Sequence, residues 1–90
     1  MKEEVIKFIK LNGWTENEKE ETEKEVEQEW EAFSKKGCYG IDVNDSEIVL
    51  LDETGDFLHI RNNENSLYTL LGVLIHYNQI TTGYNWSNKK

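Results

Sequence analysis

A second cysteine is missing from this chain, so Cys38 has no internal disulfide partner and nothing covalent stabilises the fold. There is no apolar run of about 18 residues to cross a membrane, and no charged-then-apolar leader. Together these absences set the expectation of a soluble protein in a reducing, cytoplasmic setting. Basic residues are scarce too. Ten Lys and Arg face 18 Asp and Glu, a formal charge of −8 that would repel phosphate and anionic lipid. Direct binding to nucleic acid or membrane is therefore not expected. The glycines are scattered and form no phosphate-cradling loop, and no internal repeat or linker breaks the chain. Its 90 residues allow one domain, 1–90, small enough that every element must contribute to a marginal core.

What is present begins with residues 66–80, SLYTLLGVLIHYNQI, the one segment apolar around most of a helix. Leu67, Leu70, Leu71 and Leu74 form a stripe flanked by Tyr68, Val73, Ile75 and Tyr77. Thr69, Gly72, His76 and Gln79 mark a polar seam. A helix hydrophobic over so much of its circumference is normally covered on two sides, so it is expected to be the buried C-terminal helix of the fold. Ser66 is its candidate N-cap.

From the start of the chain, residues 1–11 carry Val5, Phe8 and Ile9 at helical spacing with lysines outside, and Asn12-Gly13 stops the helix. Thr15 with Glu18 reads as a capping box. A second helix is expected over 16–36, ended by Gly37. Its inner line is Val26, Trp30 and Phe33, and nearly every other direction is glutamate. Between Glu16 and Glu31 there are nine Glu against Lys19 and Lys24, a net of −7, whereas the rest of the chain is nearly neutral.

Such a run is commonly a solvated face. Here, however, Glu16/Glu20, Glu21/Glu25, Glu23/Glu27, Glu25/Glu29 and Glu27/Glu31 are like-charge pairs at i, i+4, each costing roughly 0.2–0.5 kcal/mol in an isolated helix. A locally unfavourable surface is what a site for a basic partner would retain. At helical rise the sixteen residues span about 24 Å, which puts seven net charges about 3.4 Å apart. Phosphates along one strand of B-DNA have a similar spacing, about 3.4 Å.

Past Gly37 the pattern alternates with period two. Strands are expected over 38–43, 47–52 and 57–61, the last two joined by the turn Glu53-Thr54-Gly55-Asp56. The tail, 81–90, carries Tyr84 and Trp86. These readings give an α+β fold: two N-terminal helices, a three-stranded antiparallel meander and the buried C-terminal helix.

No chemical motif emerges. Asp42, Asn44, Ser46 and Glu53 occupy calcium-loop positions, but Glu47 stands where the sharp turn requires glycine and the flanks read as strands. Cys38, His59 and His76 have no metal-ligand spacing. No catalytic residue, metal or cofactor is expected, and the chain is not read as an enzyme. The order strand, DETG turn, strand and Ser-led leucine-rich helix over 48–74 resembles the C-terminal part of the SUKH immunity-protein fold, and no functional residue is carried over from it.

The functional expectation is an acidic protein-binding inhibitor of a nucleic-acid-processing enzyme, of the anti-restriction, anti-CRISPR or nuclease-immunity kind. Glu16, Glu20, Glu23, Glu27 and Glu31 would fill a basic groove on the partner, with Trp14, Trp30, Tyr84 or Trp86 as anchors. The chain would act as a monomer or homodimer. The alternative is an adaptor or structural subunit whose acidic run serves only solubility.

Overall fold

The computed structural model describes residues 2–18 and 30–80. Helix α1 (Lys2–Leu11) leads into β1 (Thr15–Glu16), β2 (Glu31–Ser34), β3 (Gly40–Val43), β4 (Glu47–Asp52) and β5 (Gly55–Arg61), and α2 (Ser66–His76) is the last element among the described residues. The strands form one antiparallel sheet in sequence order, β1-β2-β3-β4-β5. The two-residue β1 and the seven-residue β5 are its edges.

This corrects the expected fold in two places. The sheet has five strands rather than three, and α1 is the only N-terminal helix among the described residues. Both ends of the expected second helix are strands: Thr15 pairs with Ser34 and Glu16 with Phe33, while Glu31, Ala32 and Phe33 pair with Val43, Asp42 and Ile41. Residues 19–29, the middle of that expected helix, lie outside the described residues. The physical reason is non-local. Phe33 buries its ring in the core opposite Ile41, and that pairing outweighs the helix propensity of the glutamates beside it. Thr15 makes no capping box, and its hydroxyl faces the Ser34 carbonyl across the strand pair.

One sheet face carries the core. Phe33, Ile41, Leu50 and Leu58 form one cross-strand row, and Val43, Ile48 and Ile60 form the next. Alternation puts both rows on the same side. There α1 packs over β3 and α2 over β5, and the helices also touch each other. Val5 and Ile9 from α1, Leu70 and Leu74 from α2, and Trp14 and Ile80 from the flanking turns complete the cluster.

A third correction concerns α2, which is laid on the sheet rather than enclosed. Ser66, Leu70 and Leu74 are buried, yet Tyr68 is 81% exposed and Ile75 43%. Its N-cap position is Asn65, and Ser66 is the first helical residue. The Ser66 hydroxyl accepts the N–H of Asn63 and so ties the helix start to the preceding loop.

Two turns depend on glycine. Gly13 ends α1 at φ +104, and the Lys35 side chain crosses so close that a Cβ there would lie 3.0 Å from Lys35 Cε. Gly55, at φ +118, closes the β4–β5 hairpin. There the Asp52 carboxylate accepts both the backbone N–H and the hydroxyl of Thr54. These two donors hold the Asp52 carboxyl below the usual aspartate range, because they stabilise its charged form.

Candidate interaction surface

The acidic run starts and finishes at the β1/β2 edge of the sheet. Asn17 donates its backbone N–H to Ala32 O at 2.8 Å, and Ser34 Oγ donates to Asn17 Oδ1 at 2.7 Å. Residues 17–30 therefore leave and re-enter the sheet on adjacent strands. Since Glu16 stands opposite Phe33 and Glu31 is two positions further along β2, their backbones are roughly 8–9 Å apart. A single helix would have separated them by about 22 Å. The ends of the run face each other, and the linear match to DNA phosphate spacing does not survive this geometry.

Both terminal glutamates are held by α1. Glu31 Oε2 lies 2.9 Å from Lys2 Nζ, with both side chains largely shielded. Glu16 lies 4.0 Å from Lys10 Nζ in a more exposed pair. Alternation places Glu16 and Glu31 on the helix-covered side, where these lysines can reach them. Glu18 is exposed. Glu20, Glu23 and Glu27, with Tyr84 and Trp86, lie outside the described residues.

Of the two described tryptophans, Trp30 is half-buried and Trp14 is only 1% exposed. The Trp14 indole nitrogen donates to Tyr39 O at 2.9 Å. Its ring sits under the Lys35 ammonium, 4.7 Å from the ring centroid, and the same ammonium donates to Asn12 O. Trp14 thus joins the end of α1 to the start of β3 within the core, and its surface is not offered to a partner.

The sheet face away from the helices mixes polar side chains with apolar ones, Val49 among them at 3% exposure. Ala32, Asp42, Val49 and His59 form a row across it. His59 Nδ1 lies 3.1 Å from Glu47 Oε2 and Nε2 lies 3.9 Å from Asp56 Oδ2. The pairing of strand neighbours accounts for this arrangement, since Glu47 stands beside Val49 on the adjacent strand. Asn44 has its side-chain oxygen occupied by the N–H groups of Ser46 and Glu47, as a turn requires. Cys38 Sγ faces Gln79 O, and His76 packs edge-on against Tyr77. Among the described residues no group of three His, Cys, Asp or Glu is placed to hold a metal ion, and no helix is long and apolar enough to cross a membrane.

Sequence reasoning did not single out the outer face of α2. Tyr68, Gly72 and Ile75 are all exposed there. Their i, i+4, i+7 spacing is visible in the sequence, but an apolar circumference does not show which side stays uncovered.

Comparison of the chain with protein-family models, with curated proteins and with solved structures finds no match. The resemblance of residues 48–74 to the SUKH fold rests on the local order of elements alone.

Proposed function

We propose that the chain is an acidic protein-binding module that inhibits a basic partner, with residues 17–30 as the recognition segment and a nucleic-acid-processing enzyme as the partner class. The observation that carries this reading is the bracketing of the charge. A net −7 is gathered between Glu16 and Glu31, and those two residues sit on strands paired through β1 and β2. Whatever path the intervening residues take, they can reach no further than about 23 Å from the sheet edge, since seven extended residues out and seven back exhaust the segment. The acidic run is therefore tethered at both of its ends to one edge of the sheet. Paired to α1, Glu16 and Glu31 anchor the segment, and the glutamates between them are the ones that would meet the partner's Lys and Arg.

Long-range attraction of this kind raises the association rate and weakens with salt. A capture experiment from a nucleic-acid-enzyme-rich lysate, run at about 50 mM and about 500 mM salt, tests it. Basic proteins retained only at low salt, and displaced by added DNA, support the reading. Tight binding of the chain itself to DNA or RNA, or a partner retained equally at both salt concentrations, refutes it. The adaptor reading draws on a different observation, the uncovered apolar residues of α2.

A further inference from the structure

The sequence holds one Asn-Gly pair, Asn12-Gly13, at the turn that ends α1 and leads into buried Trp14. An asparagine followed by glycine carries its own nucleophile, because the glycine nitrogen can approach the side-chain carbonyl carbon Cγ with no Cβ in the way. Here a cation touches the peptide group that supplies this nitrogen. Lys35 Nζ donates to Asn12 O at 2.7 Å, and Asn12 O belongs to the same peptide group as Gly13 N. An ammonium on that oxygen stabilises the negative charge that the group carries once Gly13 N has lost its proton. Gly13 is exposed, so water and hydroxide can reach it. The lysine fits there because residue 13 is glycine, since a Cβ would lie 3.0 Å from Lys35 Cε.

Two hydrogen bonds oppose the reaction. Asn12 Nδ2 donates to Phe8 O at 2.9 Å, which turns the amide back along α1 and away from Gly13. Gly13 N–H donates to Lys10 O at 3.1 Å. Both belong to the last turn of the helix, which frays most readily. The Lys35 contact comes instead from the residue that follows β2, and it can outlast that fraying.

We propose that Asn12 is a site of spontaneous deamidation in the folded protein, promoted by the Lys35 ammonium on its own carbonyl and reached when the last turn of α1 frays. Hydroxide takes the Gly13 N–H proton, and the nitrogen bonds to Asn12 Cγ. The Cγ–Nδ2 bond then breaks, and Nδ2 leaves as ammonia with its added proton drawn from water, so that a cyclic succinimide closes. Water opens this imide at either carbonyl. Breaking the bond from nitrogen to Cγ gives aspartate. Breaking the bond from nitrogen to the main-chain carbonyl carbon gives isoaspartate, whose backbone runs through Cβ and Cγ. Either product removes the donor to Phe8 O and sets a negative charge at the C-terminal end of α1, where the helix dipole disfavours it. Isoaspartate also lengthens the main chain just before Trp14, whose N–H is held by Ile9 O.

Peptide mapping by mass spectrometry, after incubation of the full chain in mildly alkaline buffer, tests the proposal. In the folded chain, replacement of NH2 by OH should accumulate at Asn12 ahead of Asn44, Asn62, Asn63, Asn65 and Asn78. Lys35→Met should slow it at least about tenfold. Lys35→Arg keeps a cation and should restore most of the rate, with circular dichroism checking that both variants are folded. In concentrated urea, where the Lys35 contact is lost, wild type and Lys35→Met should react alike. Asn12 left intact in the folded chain while it reacts in urea overturns the proposal. So does a folded-state rate that Lys35→Met leaves unchanged or raises, since the sequence pair alone would then account for the reaction.

Discussion

The indole nitrogen of Trp14 and the carbonyl oxygen of Tyr39 are 2.9 Å apart and joined by a hydrogen bond that spans twenty-five positions of sequence. That bond locks the turn after α1 onto the start of β3. Around it, Lys35 covers the indole ring and the Gln79 side chain accepts the Tyr39 N–H. One residue thus joins the N-terminal helix, the sheet and the C-terminal turn.

Replacing Trp14 tests this junction. Trp14→Phe keeps most of the apolar contact but leaves the Tyr39 carbonyl without its donor, at an expected cost of about 1–3 kcal/mol. Trp14→Ala also opens a cavity and should cost about 3–5 kcal/mol, enough to unfold much of a domain this small. Urea unfolding followed by far-ultraviolet circular dichroism measures both. Equal, small losses would place the indole outside the core.

The one-sided packing of α2 predicts a graded leucine series. Leu70→Ala and Leu74→Ala, both at fully buried positions, should each lose about 2–5 kcal/mol. Leu71→Ala should lose less, since its side chain is only half-buried. Tyr68→Ala should stay within about 0.5 kcal/mol. A helix enclosed on two sides would give similar losses at Leu70, Leu71 and Leu74.

The acidic run predicts a split between its ends and its middle. Glu31→Gln breaks the shielded pair with Lys2 and should cost about 0.5–1 kcal/mol. Glu20, Glu23 and Glu27 changed together to Gln should leave thermal stability unchanged or raised. The same triple variant should bind the captured basic partner more weakly, chiefly through a slower association rate, with the difference shrinking as salt rises. Surface plasmon resonance across a salt series reads this out, and affinity retained by the triple variant would remove these glutamates from the recognition segment.

The hairpin turn carries a pH signature. Asp52 titrates below the usual aspartate range because the Thr54 hydroxyl and N–H stabilise its charged form. A depressed folded value means that this turn's contribution is fully present above the unfolded aspartate value and is lost as pH falls through the folded one. Thr54→Val removes the hydroxyl donor, so the Asp52 titration should move up toward the ordinary value. Carboxyl-carbon chemical shifts followed from pH 6 downward would show it, and no movement would mean the hydroxyl bond is absent in solution.

The parts of the fold legible in sequence are those written in local signals. Helix α1 and its stop at Asn12-Gly13 follow from apolar spacing and a glycine that the structure holds at positive φ. Strands β3, β4 and β5 follow from alternation and the Gly55 turn. What misled was β2, four residues long, in which Phe33 matched a helical spacing with Val26 and Trp30. Its true partner, Ile41, stands eight positions downstream, so no helical wheel could display the contact. The capping-box reading of Thr15 failed for the same reason, because β1 exists only through β2. In α2 the element was legible and its surroundings were not, since an apolar circumference looks alike whether the outer side meets this chain or another. Of the candidate surface residues, Trp14 shows why burial is not legible: nothing in a large aromatic between Gly13 and Thr15 reveals that the fold closes over it.

The strictly sequential strand order also bears on how the protein folds. Every strand pairs with its neighbour in the chain, so the sheet can zip up one hairpin at a time without an early, entropically costly long closure. The β4–β5 hairpin, with its short turn, is the natural first step and β3 adds to it next. β1 and β2 must instead bridge residues 17–30, whose glutamates repel one another, before their few pairs can form. The edge to which the acidic run is tethered would thus be the last part of the sheet to assemble and the first to open. Destabilising changes there should accelerate unfolding while leaving the refolding rate nearly untouched.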